Sequence, residues 1–436
     1  MITREMFETT LEADKQHRLT ATSMRDIRRR VAAFVKEPGN VRGWEITRDF
    51  GTVVVTSDVH ADLRKMVQLL VDARLVRIAD ETGDIYNYVW NVEWIAGDTL
   101  LVILGDLVDG KRRKDVTDPH GTYELLIHIL IFNLRISARA VDGDVLFTIG
   151  NHDLFSVLLP AMVPTWPKYT VRTHLAFPPH REHATQWEQR AAMLELFYLC
   201  SPYLLIRLGS VLLMHGGMLG SAPRAPGVDG ACIFNKTKRA QRAIHAALEA
   251  ERSNQRLAGV KGALERYLKR TNGRCGDNVT EARGYAALSK EQICAAEETR
   301  GLAADGVQLI VAGHCITRKT RHMHRDECKT NLAADSDVGC VAHLTCEGGP
   351  TIMLVDVALS EGFRPRDSDS DANASRPVEM LKMLRVGGGE TGPETGDMDD
   401  MYVQGAAKET WYKIGVVRPK PKTSETRKRP WFDEHV

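Results

Sequence analysis

TVVVTSDVHADLRKMVQLLVDARL, residues 52–75, carries the pattern from which the rest of the chain can be read. A β-branched apolar run, TVVVT at 52–56, ends abruptly in Ser57-Asp58-Val59-His60. The segment that follows places apolar residues at helical spacing. A strand with no alternation is buried on both faces, and strands of this kind occur where helices cover a parallel sheet. The unit recurs. TLLVIL at 99–104, DVLFTI at 144–149, SVLLM at 210–214 and VQLIVA at 307–312 are further short apolar runs, each ending in polar residues. Helical patterns lie between several of them, notably GTYELLIHILIFNLRISARAV after the second, WEQRAAMLELFYL before the fourth, and an Arg/Ala-rich stretch at 236–270. Strands alternating with helices predict an α/β architecture.

The ends of these runs share one chemistry. They read Asp58-Val-His60, Gly105-Asp106-Leu-Val-Asp109, Gly150-Asn151-His152-Asp153, His215-Gly-Gly and Gly313-His314. Ligands of α/β proteins bind beyond the carboxyl ends of the strands. Each ending taken alone is also what an ordinary turn or strand cap looks like; five in order form a pattern. In Asp58-x-His60 an extended backbone turns residues i and i+2 to one face. A carboxylate such as Asp106 has two oxygens and can bridge two ions. Asn151 offers an amide oxygen, and His215 and His314 offer imidazoles. The mixed oxygen and nitrogen set suits Mn, Fe or Zn rather than Ca or a thiolate zinc site. Two such ions about 3.5–4 Å apart can clamp the attacking and leaving oxygens of an in-line displacement.

In this order the five blocks resemble those of the calcineurin-like metallophosphoesterase superfamily, over roughly residues 50–360. HGG at 215–217 and GPTIMLVDVALS at 349–360 are similar to the phosphoprotein-phosphatase branch and its bacterial-type and Shewanella-like relatives. The resemblance implies a four-layer αββα sandwich, a central β-sandwich flanked by helices. It implies two divalent transition-metal ions, Asp58, His60 and Asp106 holding one and Asp106, Asn151, His215 and His314 the other. His152 would be the general acid, oriented by Asp109. The implied reaction is hydrolysis of a phosphomonoester, phosphoserine or phosphothreonine first, by direct attack of a hydroxide shared between the ions. Cleavage of a nucleotide phosphoanhydride or phosphodiester is the alternative within the superfamily; a scaffold that has lost its chemistry is the alternative outside enzymes.

Some positions depart from the branch. Asp109-Gly110-Lys111-Arg112 stands where Asp-Arg-Gly is usual, so Lys111 or Arg112 would have to grip phosphate, and an ammonium lacks the bidentate fork of a guanidinium. Asp153 replaces a Glu, and Ser57 and Ala61 replace Gly. Arg283, in EARGYAALS, resembles the Arg-Gly-Tyr of the Shewanella-like group and is a second candidate for phosphate.

Composition bounds the rest. With 58 Lys+Arg against 57 Asp+Glu in 436 residues, no general attraction to nucleic acid or acidic lipid is indicated, and the partner expected is a phosphorylated protein or small molecule. No segment approaches the roughly 18 apolar residues of a membrane span, and the charged N-terminus MITREMFETTLEADK is unlike a secretory signal. An intracellular, cytoplasmic protein is expected; the basic C-terminus RPKPKTSETRKRP leaves the nucleus as an alternative. Eight Cys do not suggest a disulfide framework in a chain this long. Cys315, His322, His324, Cys328, Cys340, His343 and Cys346 either surround a structural zinc or belong to a plain inserted loop. The expected organisation is a helical lead-in at 1–45, a catalytic domain at 46–362, an extension at 363–386 and a largely flexible acidic-then-basic tail at 387–436. Oligomeric state is not readable.

Overall fold

The computed structural model describes residues 3, 25–41, 43–79, 89–109, 122–162, 194–220, 232–269, 278–315, 341–356, 380–386, 402–404 and 411–417. Every one of the five apolar runs forms a strand. In chain order they are β2 (Thr52–Thr56), β5 (Thr99–Ile103), β6 (Asp144–Phe147), β8 (Val211–Met214) and β9 (Leu309–Ala312). β1 (Glu45–Ile46), β3 (Val76–Ile78), β4 (Val92–Trp94), β7 (Leu205–Leu208), β10 (Ala342–Thr345), β11 (Thr351–Leu354), β12 (Met380–Val386), β13 (Tyr402–Gln404) and β14 (Trp411–Val417) complete the set.

Two six-stranded sheets form the centre. One runs β13-β14-β12-β2-β5-β6 and the other β1-β7-β8-β9-β11-β10. In each, the runs that are apolar throughout sit side by side and parallel: β2, β5 and β6 in the first, β8, β9 and β11 in the second. Val53, Val54, Val55, Leu100, Leu101 and Val102 are all buried, each contributing about 1.5–3 kcal/mol of transfer free energy if fully withdrawn from water. Parallel alignment sends the carboxyl ends of three strands per sheet the same way.

Helices flank the sheets. The helix α1 (Arg25–Lys36) buries Ile27 and Val31, and α2 (Leu63–Asp72) buries Leu63, Met66, Val67 and Leu70 at the i, i+3, i+4, i+7 spacing of an amphipathic face. Asp62 caps α2, its carboxylate accepting the Lys65 N–H at 3.1 Å. The long α3 (Thr122–Arg139) is buried on most of its circumference and packs on β6. The Arg/Ala-rich stretch is two helices, α4 (Cys232–Leu248) and α5 (Ser253–Lys269), packed on each other. The chain thus has the mixed α/β fold expected, with central sheets between helices. Among the described residues no helix is long and apolar enough to cross a membrane.

Two features differ from the sequence reading. Composition marks 387–436 as largely flexible; within it β13 and β14 join the first sheet, and the buried Tyr412 hydroxyl both accepts the Phe50 N–H at 2.8 Å and donates to the Phe50 carbonyl at 2.9 Å. β14 pairs with β12 over seven residues, and it is that neighbour, not local composition, that orders it. Cys294 and Cys346 form a disulfide across a separation of 52 residues, a pairing that no local spacing announces. It removes Cys346 from the proposed zinc set. Residues 316–340 of that set lie outside the described residues, and Cys315 is buried.

Candidate metal centre

Five strand ends converge. From the first sheet come Asp58 and His60 after β2, Asp106 and Asp109 after β5, and Asn151 and His152 in the helical turn after β6; from the second come His215 after β8 and His314 after β9. All eight are buried. The backbone is forced into place: among the described residues eight non-glycine residues have positive φ, and six of them are Asp58, His60, Ala61, Asp106, Asp109 and His314. Left-handed conformation costs an L-residue about 1–2 kcal/mol, and such strain concentrates where geometry serves chemistry. Gly105, at φ 76°, takes the same conformation freely, and a Cβ there would lie 2.6 Å from the Gly150 nitrogen. A Cβ at Gly313 would collide with the Ser57 hydroxyl, so the two sheets touch through that absent side chain.

The backbone also sets the imidazole tautomers. His215 Nδ1–H donates to the Leu104 carbonyl at 2.6 Å and His60 Nδ1–H to the Val108 carbonyl at 3.3 Å, which leaves each Nε2 as a lone pair facing inward. Both point at one atom. Asp106 Oδ2 is 3.5 Å from His215 Nε2 and 3.7 Å from His60 Nε2. His215 Nε2 is also 3.1 Å from Asn151 Oδ1 and 3.2 Å from His314 Nδ1. Asp58 reaches across the sheets, its Oδ2 accepting the His314 N–H at 2.9 Å, with Ser57 Oγ on the same oxygen. His152 Nδ1 is hydrogen-bonded to the Asp109 carboxylate, and its Nε2 lies 3.8 Å from Asp106 Oδ2.

Acceptors therefore face acceptors. The donor atoms of His60, Asp106 and His152 lie within 4.8 Å of one another, as do those of Asp106, His215 and His314, so Asp106 belongs to both groups. Burial, with Asp58 and Asp153 nearby, pushes the Asp106 carboxyl well above the usual range. Burial lowers His215, and burial together with His215 and Arg283 drives His314 well below the ordinary histidine value. His314 Nε2 is buried and has no hydrogen-bond partner among the described residues. Protons cannot resolve this cluster, because a proton that satisfies one lone pair leaves the others opposed. Small divalent cations do, and carboxylate, amide and imidazole suit Mn, Fe or Zn. The residues fit a metal centre.

Of the residues expected from sequence, the metal-ligand set, His152 and Asp109 come together here. Arg283 is exposed and near enough for its charge to oppose protonation of His314. Lys111 and Arg112 lie outside the described residues. Sequence reading passes over Glu124, whose carboxylate accepts the Asp109 N–H at 2.9 Å from the start of α3, and Tyr198, which bonds Asp153. Neither carries a motif.

The family profile of the calcineurin-like phosphoesterases matches residues 51–315, more than half of the chain. Among solved structures the chain is similar to a cold-active protein-tyrosine phosphatase of a psychrophilic Shewanella species, at 16% identity and TM-score 0.45, over 79% of this chain and 80% of that one. It is also similar to a Saccharomyces cerevisiae protein serine/threonine phosphatase with similarity to human PP5, at 13% identity and TM-score 0.39, over 95% and 96% of the two chains. A third similar structure is a putative diadenosine tetraphosphatase, at 13% identity and TM-score 0.29, over 78% and 91%. No curated protein sequence matches.

Proposed function

The chain belongs to the calcineurin-like phosphoesterase family, hence to the metal-dependent hydrolases of phosphoester bonds, and from that premise we propose that it removes the phosphate of a phosphomonoester, phosphoserine or phosphothreonine first. The observation that carries the proposal is the meeting of five strand ends from two sheets around Asp106 Oδ2, with lone pairs opposed. Asp58, His60 and Asp106 would hold one cation, and Asp106, Asn151, His215 and His314 a second. Bound there, the cations would neutralise the phosphate and make a water acidic enough to attack at neutral pH.

The chain's own residues supply the rest. Asp109 holds His152 Nδ1 and so directs Nε2 toward the reacting group, where it hands a proton to the departing alkoxide. The Leu104 and Val108 carbonyls keep His215 and His60 from rotating away. Arg283, exposed and near enough for its charge to act on His314, would grip a phosphate oxygen, with Lys111 or Arg112 as the other candidates. A second reading of His152 has its own support: its donor atom groups with those of His60 and Asp106, as a ligand's would.

The test is a substrate panel on full-length protein, stripped with chelator and resupplied with Mn²⁺. Phosphopeptides and p-nitrophenyl phosphate should turn over faster than dinucleoside polyphosphates, cyclic nucleotides and bis-p-nitrophenyl phosphate. Faster cleavage of the diesters or polyphosphates would replace the monoester assignment.

A further inference from the structure

Asp153 ends the helical turn that carries Asn151 and His152. Its side chain is fully buried and accepts hydrogen bonds from the backbone of both metal-facing loops and from a tyrosine hydroxyl. Oδ2 accepts the N–H of Asp106 at 2.8 Å and of Gly150 at 2.9 Å. Oδ1 accepts the N–H of Leu107 at 3.0 Å and of Val108 at 3.4 Å, and the Tyr198 hydroxyl at 2.7 Å. One carboxylate thus ties the loop after β5 to the loop after β6. The tie is reciprocal: Asp106 Oδ1 accepts the His152 N–H at 2.9 Å. That bond occupies Oδ1 and leaves Oδ2 as the oxygen turned toward His60, His152 and His215.

We infer that Asp153, anchored by Tyr198, is the positioning residue that sets the distance between the Asp106 loop and the Asn151–His152 turn, and through it the cation affinity of the site. The inference rests on the metal-centre reading above. Tyr198 is itself fixed, buried with its ring packed edge-on against Phe147 at 5.4 Å and tilted against His128 at 5.5 Å. Its hydroxyl hydrogen goes to the Asp153 carboxylate, so a charge-assisted bond crosses from the 194–198 helical segment to the site. Groups of this kind, one bond removed from the ligands, govern metal affinity by about 10–100-fold.

The experiment compares two hydroxyl deletions in the full chain. Tyr198→Phe removes the anchor and keeps the ring; Tyr412→Phe removes an equally buried hydroxyl that bonds the Phe50 backbone, two residues before β2. Mn²⁺ binding is read by calorimetry and by the rise in Tm on adding Mn²⁺, with no turnover required. Tyr198→Phe should weaken Mn²⁺ binding about tenfold, and Asp153→Asn more, because its amide N–H₂ would face N–H donors. Tyr412→Phe should lower Tm without moving the Mn²⁺ midpoint. If Tyr198→Phe binds Mn²⁺ as tightly as wild type, or Tyr412→Phe weakens binding equally, the inference is overturned while the metal centre stands. Wild-type protein that takes up no Mn²⁺ would overturn both.

Discussion

Two buried polar clusters in this chain are built on opposite plans. In one, the Arg135 guanidinium lies between the ends of three elements. Its Nε donates to Asp144 Oδ1 at 3.0 Å, Nη2 to the Asn40 carbonyl at 2.8 Å and Nη1 to the Cys200 carbonyl. Arg139 covers the other Asp144 oxygen at 3.2 Å, and Asn40 Nδ2 donates to the Phe34 carbonyl at 2.8 Å. Donors meet acceptors throughout, and this cluster ties α1, α3 and β6 together. In the other, around Asp106, lone pairs meet lone pairs and the backbone is strained. A self-satisfied cluster supports the fold; one that cannot satisfy itself is arranged for something it binds. An orphan nitrogen alone does not make the second kind. Among the described residues, His245 Nε2 is also buried without a hydrogen-bond partner, yet it lies against the Tyr203 ring and belongs to no group of candidate ligands.

The comparison breaks first at Asp106. Asp106→Asn should lose bound cation and turnover together, both read on the same preparation by metal analysis and p-nitrophenyl phosphate hydrolysis. His152→Ala should instead keep its cations and lose turnover by roughly 10²–10⁴-fold, the range of a missing general acid. Equal cation loss in the two variants would make His152 a ligand.

Arg135→Met tests the opposite plan. It strands Asp144 with only Arg139 in partial compensation, so urea denaturation should show a loss of about 3 kcal/mol. Turnover per folded molecule and Mn²⁺ affinity should not change. A shift in Mn²⁺ affinity would mean that the two clusters are coupled.

The Cys294–Cys346 disulfide should behave as part of the scaffold. Reduction, or Cys294→Ser, should cost about 2–4 kcal/mol by releasing the loop it closes, and should leave the Mn²⁺ midpoint in place.

The smallest effect belongs to His245. Burial lowers it from 6.5 to about 4, so the unfolded chain binds the proton more readily than the folded one. Its contribution is intact above pH 6.5 and is lost as pH falls toward about 4, amounting to about 1–3 kcal/mol. His245→Phe should flatten that part of the stability–pH curve.

The core strands were readable because their signal is local. TVVVT, TLLVI and VLLM are apolar at consecutive positions, and a window of five residues suffices to see it. The candidate ligands were readable because they sit within a few residues of those strand ends. β14 escaped because its order comes from pairing with β12, and composition in its own neighbourhood points the other way. Tyr198 and Glu124 escaped because each reaches the site through a bond to a residue far along the chain, 45 and 15 positions away.

Sequence alone determined an α/β chain whose strands end in carboxylate, amide and imidazole groups, since strand burial and strand endings are properties of adjacent residues. Only the tertiary structure decided that Asp106 presents Oδ2 rather than Oδ1, that Leu104 and Val108 choose the tautomers of His215 and His60, and that Cys294 finds Cys346. The physical reason is distance along the chain. Asp58 and the His314 N–H that it accepts are 256 residues apart, and a hydrogen bond good to a few tenths of an ångström across that span exists only once both sheets have packed.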